Sequence, residues 1–399
     1  MTDREFALDV VRRLSAAGHV AYWAGGCVRD ELLGLAPADY DVASDARPDQ
    51  VVKLFRRTVE VGASFGVVEV IGPRREDDTF HKVQVATFRS DGAYTDGRHP
   101  ETVTYATAEE DAGRRDFTIN GMFFDPVAGR VMDYVGGQRD IAAKILRAIG
   151  DPRARFREDK LRLMRAVRMS ARFGFPIEEA TAAAVQEMAP QITVVSAERI
   201  AEELRKMMEH PARAEAVREL NRLGLLTPIL PGIAVSDQLL GVLAALPDAA
   251  AFPLAFAAIV HPAGKKAAGA ACRRLKLSNQ EQARVEWLTE HHHALRAAET
   301  MPKSRLYPLL IQPGLRDLID LHRAVGESPA FVERVLAETP ADVLNPPPLL
   351  TGDDLTANGF TPGPLFKTVL QAVRDGQLDG TLSTKAEALA LAASAIRQR

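Results

Sequence analysis

The stretch AYWAGGCVRDELLGLAPADYDV, residues 21–42, decides how the N-terminal part of the chain reads. A short apolar run from Ala21 to Ala24 meets Gly25-Gly26, and Cys27 to Gly34 continues with helical character. A glycine pair between a strand and a helix lets backbone N–H groups approach a phosphate closely, and a helix N-terminus favours an anion. Arg29, one turn in, adds a cation. Taken alone, the pair reads equally well as an ordinary turn. Asp39-Tyr40-Asp41 then sets two carboxylates at i and i+2, on one face of an expected strand. Such a pair repels itself unless a cation intervenes, and hard oxygen donors suit Mg²⁺. Standing alone, it also reads as two solvated turn acids; the upstream glycine turn is what favours the metal.

Working outward, the same texture holds to about residue 145. A helical stretch, Arg4 to Ala17, precedes β-rich runs at Val59–Val61, Gly66–Ile71 and Val83–Phe88, separated by turn formers. From Asp140 onward the pattern is helical almost everywhere, with breaks at Gly174-Phe175-Pro176 and Leu230-Pro231-Gly232. The fold class expected is therefore α+β: a small head with a mixed sheet, then an all-α remainder, not the alternating βαβ of a doubly wound sheet. The expected division is a catalytic head at 1–145, a helical neck at 146–225, a helical body at 226–344, and a tail at 345–399 beyond the joint Asn345-Pro346-Pro347-Pro348.

Bulk numbers agree with a globular protein. Of 399 residues, 46% are hydrophobic and 26% charged, enough for two or three cores. No run reaches the ~18 apolar residues of a membrane span, and the opening MTDREFALDV does not read as a secretory signal. Two cysteines, Cys27 and Cys272, make no disulfide framework, so a reducing cytoplasm is expected.

A third element joins the first two. Arg114-Arg115-Asp116-Phe117-Thr118-Ile119-Asn120 offers Asp116 as a third carboxylate for a two-metal site, Arg115 for bidentate phosphate contact, and Asn120 for a ribose or phosphate hydrogen bond. On its own, this segment reads as a surface ion pair just as readily. In the neck, Glu158 to Arg168 has helical periodicity, and Asp159, Arg162, Arg165 and Arg168 recur every third residue along a slanting ridge.

Together these segments resemble a known family. GGCVRDELLG, DYDVASDARP, Gly62-Ala63-Ser64-Phe65-Gly66, ATFRSDGAYTDGRHPETV, RRDFTIN and Asp133-Tyr134-Val135-Gly136-Gly137 look like the head of class II tRNA nucleotidyltransferases. These belong, with bacterial poly(A) polymerases, to the DNA polymerase beta-like nucleotidyltransferase superfamily. The resemblance runs nearly gapless from about residue 20 to 230. It implies addition of CMP and AMP from CTP and ATP to the 3′ end of tRNA, with pyrophosphate released. It further implies that Asp39 and Asp41, with Asp116, hold Mg²⁺ and that Gly25, Gly26 and Arg29 hold the triphosphate. The neck then acts as a protein template: Asp159 and Arg162 read the incoming base, and Arg165 and Arg168 bind phosphate. A carboxylate accepts from the exocyclic amino group that C and A both carry, and U or G would strand buried polar groups. Asp159 and Arg162 are expected to hold each other rigid as an ion pair.

The chain also departs from the family. Gln84 stands where members often carry Glu, in the strand before Thr87-Phe88-Arg89. Leu226 to His293 looks like a relic of an HD phosphohydrolase domain whose His-Asp pair reads His261-Pro262, so no phosphohydrolase activity is expected; His291-His292-His293 reads as a solvated helix end. The rivals are an A-adding-only or CC-adding-only enzyme, a poly(A) polymerase, and a non-catalytic tRNA-binding relative. Gly62 to Gly66 lacks a basic run typical of poly(A) polymerases, and the Ser90–Pro100 loop that CC-adding forms shorten looks intact. Partners expected are tRNA, CTP and ATP; DNA and membranes are not. The net charge of −3 does not oppose RNA, because residues 139–172 hold eleven Lys/Arg against four acids, a local +7 that leaves −10 elsewhere.

Overall fold

The computed structural model describes residues 1–62, 66–91 and 103–397. These divide into two compact units, Met1–Met207 with Glu215–Gly232, and Met208–Ala214 with Ile233–Arg399. No helix among the described residues is long and apolar enough to cross a membrane.

The first unit opens with α1 (Asp3–Ala16), started by a Thr2/Glu5 capping box. Its Phe6, Val10, Val11 and Leu14 form a buried stripe at helical spacing. That stripe packs on a seven-stranded sheet built from β1 (Ala21–Ala24), β2 (Asp41–Ser44), β3 (Thr58–Gly62), β4 (Val67–Arg74), β5 (Phe80–Thr87), β8 (Phe123–Asp125) and β9 (Arg130–Met132), in the order β3-β4-β5-β2-β1-β8-β9. A separate ribbon pairs β6 (Arg89–Asp91) with β7 (Val103–Tyr105). Alternation is strict where one face is covered: Val83 and Val85 of β5 are buried, while Lys82 and Gln84 point away from that core.

Pairing sets the site. β1 and β2 run antiparallel with Ala24 opposite Asp41, so the residues leaving β1 and those entering β2 share one end of the sheet. β2 and β5 run parallel with Val42 opposite Val85, which brings Gln84 to the same end. Asp41 opens β2, but Asp39 lies before the strand, so the pair is not carried on one pleated face. The intervening Tyr40 explains the approach: it is buried, stacks edge-on against Trp23 at 4.9 Å, and donates its hydroxyl to Glu31 Oε1 at 2.9 Å.

Helices α2 (Gly26–Leu32), α3 (Pro48–Leu54), α4 (Ala108–Gly113) and α5 (Gly137–Ala142) complete the head, and α6 (Pro152–Glu158), α7 (Leu161–Phe173), α8 (Glu179–Met188) and α9 (Ala197–Met208) follow. The expected helix through Glu158–Arg168 is two helices. Asp159 is extended (φ −146°, ψ 108°) and its Oδ1 accepts from the Leu161 N–H at 3.0 Å, capping the new helix from outside. The ridge of arginines thus belongs to α7, and Asp159 sits just ahead of it.

The second unit is helical throughout its described residues. Its helix Phe252–Val260 is buried at nearly every position, as a central helix should be. Arg213, 1% exposed, donates to the carbonyls of Met208, Leu243, Leu246, Pro247 and Asp248, closing the end of helix Asp237–Ala245. The proline joint is pinned: Arg374 donates to Pro346 O and Asn345 Oδ1, and Gln377 to Pro347 O.

Candidate active site

One cavity of about 630 Å³ gathers every residue singled out from the sequence: Gly25, Gly26, Arg29, Asp39, Asp41, Arg115, Asp116, Asn120, Asp159, Arg162, Arg165 and Arg168. Gln84, Arg114, Arg172 and Arg199 line it as well.

Gly25 makes the turn from β1 into α2 at φ +72°, a conformation L side chains avoid. A Cβ there would stand 2.9 Å from Arg115 Nη1, so the glycine also clears room for that guanidinium. Arg115 lies over the Phe123 ring at 4.8 Å and donates through Nε and Nη2 to Asp111 Oδ2. Arg114 donates to the other oxygen of the same carboxylate. Asp111 is 1% exposed and sits on α4 three and four residues before the two arginines, which is why one carboxylate reaches both.

Asp39 and Asp41 carry no side-chain hydrogen bond or ion pair to the described residues. Asp41 is open to water within the cavity, yet protein crowds most of its surroundings. That desolvation, and secondarily the charge of Asp39, pushes its carboxyl up to about 6, with Arg115 opposing.

Behind this pair runs a chain of buried polar contacts. Arg29 donates to Asp30 Oδ1 at 2.8 Å and to Asn120 Oδ1 at 2.5 Å; the Asn120 amide donates to Asp116 Oδ1 at 3.1 Å; Arg165 donates to Asp116 Oδ2 through Nε at 2.8 Å and Nη2 at 2.6 Å. The Phe117 N–H also donates to Asp116 Oδ1. Burial works to raise the Asp116 carboxyl, but the charge and hydrogen bonds of Arg165 outweigh it and hold the group well below the usual carboxylate range. Asp116 is therefore engaged on both oxygens within the protein, and among the described residues no three His, Cys, Asp or Glu side chains converge to hold a metal ion. Asp116, the third carboxylate of the sequence reading, lies in the same cavity as Asp39 and Asp41 and there anchors Arg165. Asn120 bonds Arg29 and Asp116 through its side chain, with 8% of the residue exposed.

The expected Asp159–Arg162 ion pair is not the one formed. Arg162 Nη1 pairs with Glu158 at 2.5 Å, one helical turn back, and reaches the carbonyls of Arg155 and Arg114. Asp159 Oδ2 instead accepts from Arg199 on α9 at 2.7 Å. The break at Asp159 is the reason, since an extended residue does not present its side chain on the face of the helix that follows. Arg168 pairs with Glu203, also on α9, at 2.6 Å.

Arg199, Glu203 and Asp111 escaped the sequence reading. Glu203 left a signal, an acid inside the apolar stripe Ile200, Ala201, Leu204 and Met207, where an unpaired charge is costly. Arg199 left none. The segments Ala63–Phe65 and Gly92–Thr102 lie outside the described residues, so the features read there have no structural counterpart here. In the second unit, His261 and His292 pack edge to face at 5.1 Å, with their Nδ1 atoms at the carbonyls of Ala258 and Thr289.

Comparison with known proteins follows this geometry. The family described as Poly A polymerase head domain matches residues 21–147, and that described as probable RNA and SrmB-binding site of polymerase A matches residues 174–236. A CCA-adding enzyme of Geobacillus thermodenitrificans is 40% identical over 277 residues, 69% of this chain and 67% of the relative. One of Lacticaseibacillus paracasei is 30% identical over 399 residues, 97% of this chain and 95% of the relative. Among solved structures, a Bacillus stearothermophilus CCA-adding enzyme in complex with CTP matches with TM-score 0.82 and 28% identity, covering 100% of this chain and 98% of that one. A Thermotoga maritima CCA-adding enzyme complexed with tRNA shares the fold, with TM-score 0.66 and 19% identity over 98% of this chain and 95% of that one.

Proposed function

The chain belongs to the family of CCA-adding enzymes, and from that premise we propose that it extends the 3′ end of tRNA with CMP and AMP, using CTP and ATP and releasing pyrophosphate. The observation that carries the reading is convergence: the glycine turn, the Asp39/Asp41 pair and the arginines of α7 line one cavity.

The family is generally dependent on a divalent metal. Asp39 and Asp41 suit one by donor chemistry, being two hard-oxygen ligands whose mutual repulsion the Arg115 charge opposes. They would hold Mg²⁺, with Asp116 in the same cavity as the third carboxylate. When bound, such an ion supplies counter-charge to the phosphates and lowers the pKa of the terminal 3′-hydroxyl. The protein's own groups do the rest. Gly25-Gly26 opens the backbone for the triphosphate, and Arg115, steadied by Asp111, faces the same space. Asp116, steadied by the Asn120 amide and the Phe117 N–H, holds Arg165 in place. Asp159 accepts the exocyclic amino group of C or A, Arg162 pairs along the same edge, and Arg165 and Arg168, kept in place by Asp116 and Glu203, offer their remaining guanidinium N–H groups to phosphate oxygens. The working division keeps a head at 1–145, a neck at 146–225, a body at 226–344 and a tail at 345–399, the last two meeting tRNA away from its 3′ end; the setting is the cytoplasm.

The test is extension of tRNA ending at the discriminator base, at C74-C75, and at full length, with each NTP separately. Addition of two C residues and then one A from the shortest substrate is expected. Extension from the CC end alone would make the chain an A-adding enzyme, arrest after CC a CC-adding one, and long untemplated A tails a poly(A) polymerase.

A further inference from the structure

The Asp39/Asp41 corner is held from behind by a contact that the reaction itself does not use. The strand ladder begins at Asp41, paired with Ala24, so Asp39 and Tyr40 lie outside it. What fixes this segment is the Tyr40 side chain. Tyr40 is 6% exposed and its ring packs edge-on against Trp23, which is itself stacked on Phe124 of β8 at 5.5 Å. Its hydroxyl donates to Glu31 Oε1 at 2.9 Å. Arg4 Nε donates to the same oxygen at 2.9 Å, with its guanidinium over the Trp23 ring at 5.0 Å. Glu31 belongs to α2, the helix that starts at the Gly25-Gly26 turn. One hydrogen bond thus ties the helix leaving the glycine turn to the residue between the two carboxylates.

We propose that Glu31, steadied by Arg4, is a positioning residue for the metal pair: through Tyr40 it fixes the spacing between the Asp39/Asp41 carboxylates and the glycine turn that receives the triphosphate. This rests on the nucleotidyltransferase reading of the cavity. Tyr40 is turned into the core while both of its neighbours line the cavity, so anchoring the middle residue constrains the pair. Packing alone leaves a tyrosine ring free to tilt within its slot; the hydrogen bond at its far end removes that freedom. Glu31 takes both donors on one oxygen, so its loss releases Arg4 and leaves the Tyr40 hydroxyl without its acceptor. Two carboxylates that wander must be ordered when a cation comes between them, and that ordering is subtracted from its affinity. The triphosphate, met by the glycine turn and the arginines, feels no such change. The signature is therefore a metal effect without a nucleotide effect.

The experiment is Mn²⁺ binding by electron paramagnetic resonance on the whole chain without substrate, beside steady-state CMP addition to tRNA lacking its 3′ CCA with Mg²⁺ and CTP varied in turn. Tyr40→Phe keeps the ring and loses the bond. Its Mn²⁺ dissociation constant and its half-saturating Mg²⁺ rise by about tenfold, with KM for CTP, taken at saturating Mg²⁺, unchanged. Glu31→Ala matches it, and Glu31→Gln, which keeps an acceptor, recovers part of the loss. Combining Tyr40→Phe with Glu31→Ala is no worse than either alone, because both cut one bond. Leu14→Ala, in the buried stripe of α1, is the control: it lowers the melting temperature and leaves the metal constants alone. Tyr40→Phe with wild-type metal binding, or a metal loss that Leu14→Ala reproduces as its melting temperature falls, would overturn the positioning role. Mn²⁺ binding that survives Asp39→Ala unaltered would overturn the metal reading of the pair instead, and a wild-type chain that extends no tRNA the functional reading, so these two are measured first.

Discussion

At the sheet end of the cavity, Asp39 and Asp41 stand near each other with no cation among the described residues paired to either side chain, and Asp41 is lifted to about 6. On α7, Arg165 and Arg168 line the same space, yet each is already bound, one to Asp116 at 2.6 Å and the other to Glu203 at 2.6 Å. The carboxylate corner holds its charge in reserve; the arginine wall holds its charge in balance. An incoming cation therefore gains electrostatically at once, whereas an incoming triphosphate meets guanidinium groups already held by protein carboxylates. The difference separates chemistry, which needs uncompensated charge, from recognition, which needs groups kept in place before the ligand arrives.

The largest effect should come from the uncompensated side. Asp39→Ala or Asp41→Ala lowers nucleotide incorporation by on the order of 10³-fold or more, while tRNA binding by anisotropy and the far-UV spectrum stay close to wild type. Either variant extending tRNA at a near-normal rate would break the contrast outright.

The balanced side predicts a stability effect. Asp116→Ala leaves Arg165, its side chain 32% exposed, with Glu203 at 3.9 Å as its nearest remaining acid, and urea unfolding should show a loss of about 2 kcal/mol. The pH dependence has a definite sign. The folded carboxyl lies below its unfolded value, so its contribution is full above the unfolded pKa near ~4 and fades as pH falls below it toward the folded value. Wild type should lose stability on acidification below about pH 4, and the variant should follow a flatter curve there. Parallel curves would show that the pair contributes nothing.

Gly25→Ala tests the join between the two sides. The positive φ costs about 1–2 kcal/mol for an L side chain, and the new Cβ displaces Arg115 Nη1 from 2.9 Å. KM for both nucleotides should rise with kcat less affected; an unchanged KM would mean that the turn is only a turn.

The smallest effect runs opposite in sign to the largest. With metal absent, the folded Asp41 carboxyl at about 6 lies above its ordinary value, so the destabilisation is present above that pH and disappears as pH falls through it. Asp41→Asn, though inactive, should melt about 1–3 °C higher than wild type at pH 7 in chelator and show no such gain at pH 4. A lower melting temperature at pH 7 would mean that Asp41 is paired after all.

How much of this was legible in the sequence depends on how local each signal is. The head's β-rich runs, the helical remainder and the glycine turn follow from periodicity and from residues a few positions apart. Asp39 and Asp41 were found because their repulsion is written two residues apart, with the glycine turn that favours a cation a short way upstream. The neck was read correctly in its periodicity and wrongly in its continuity: Asp159 looks helical by spacing, but its side chain caps Leu161 and breaks the run. Partner choice was the least legible part. Asp159 with Arg199, and Arg168 with Glu203, join residues separated by 40 and 35 positions, and nothing local in α7 announces which helix will face it. Asp116 was recognised as functional in kind, but its bond to Arg165 spans 49 positions and only the fold reveals that its oxygens are taken.

The two-residue joint between α6 and α7 has a consequence for change by insertion rather than by substitution. Adding or removing a single residue at Asp159-Lys160 would, if α7 keeps its place, shift every residue of that helix by one position, a turn of about 100° about its axis. Arg162, Arg165 and Arg168 would leave the cavity wall together, and the buried stripe of Leu163, Met164 and Val167 would turn toward water with them. Substitutions along this segment act one side chain at a time. A change of length acts on all of them at once, so the site is written as much in the count of residues here as in their identities.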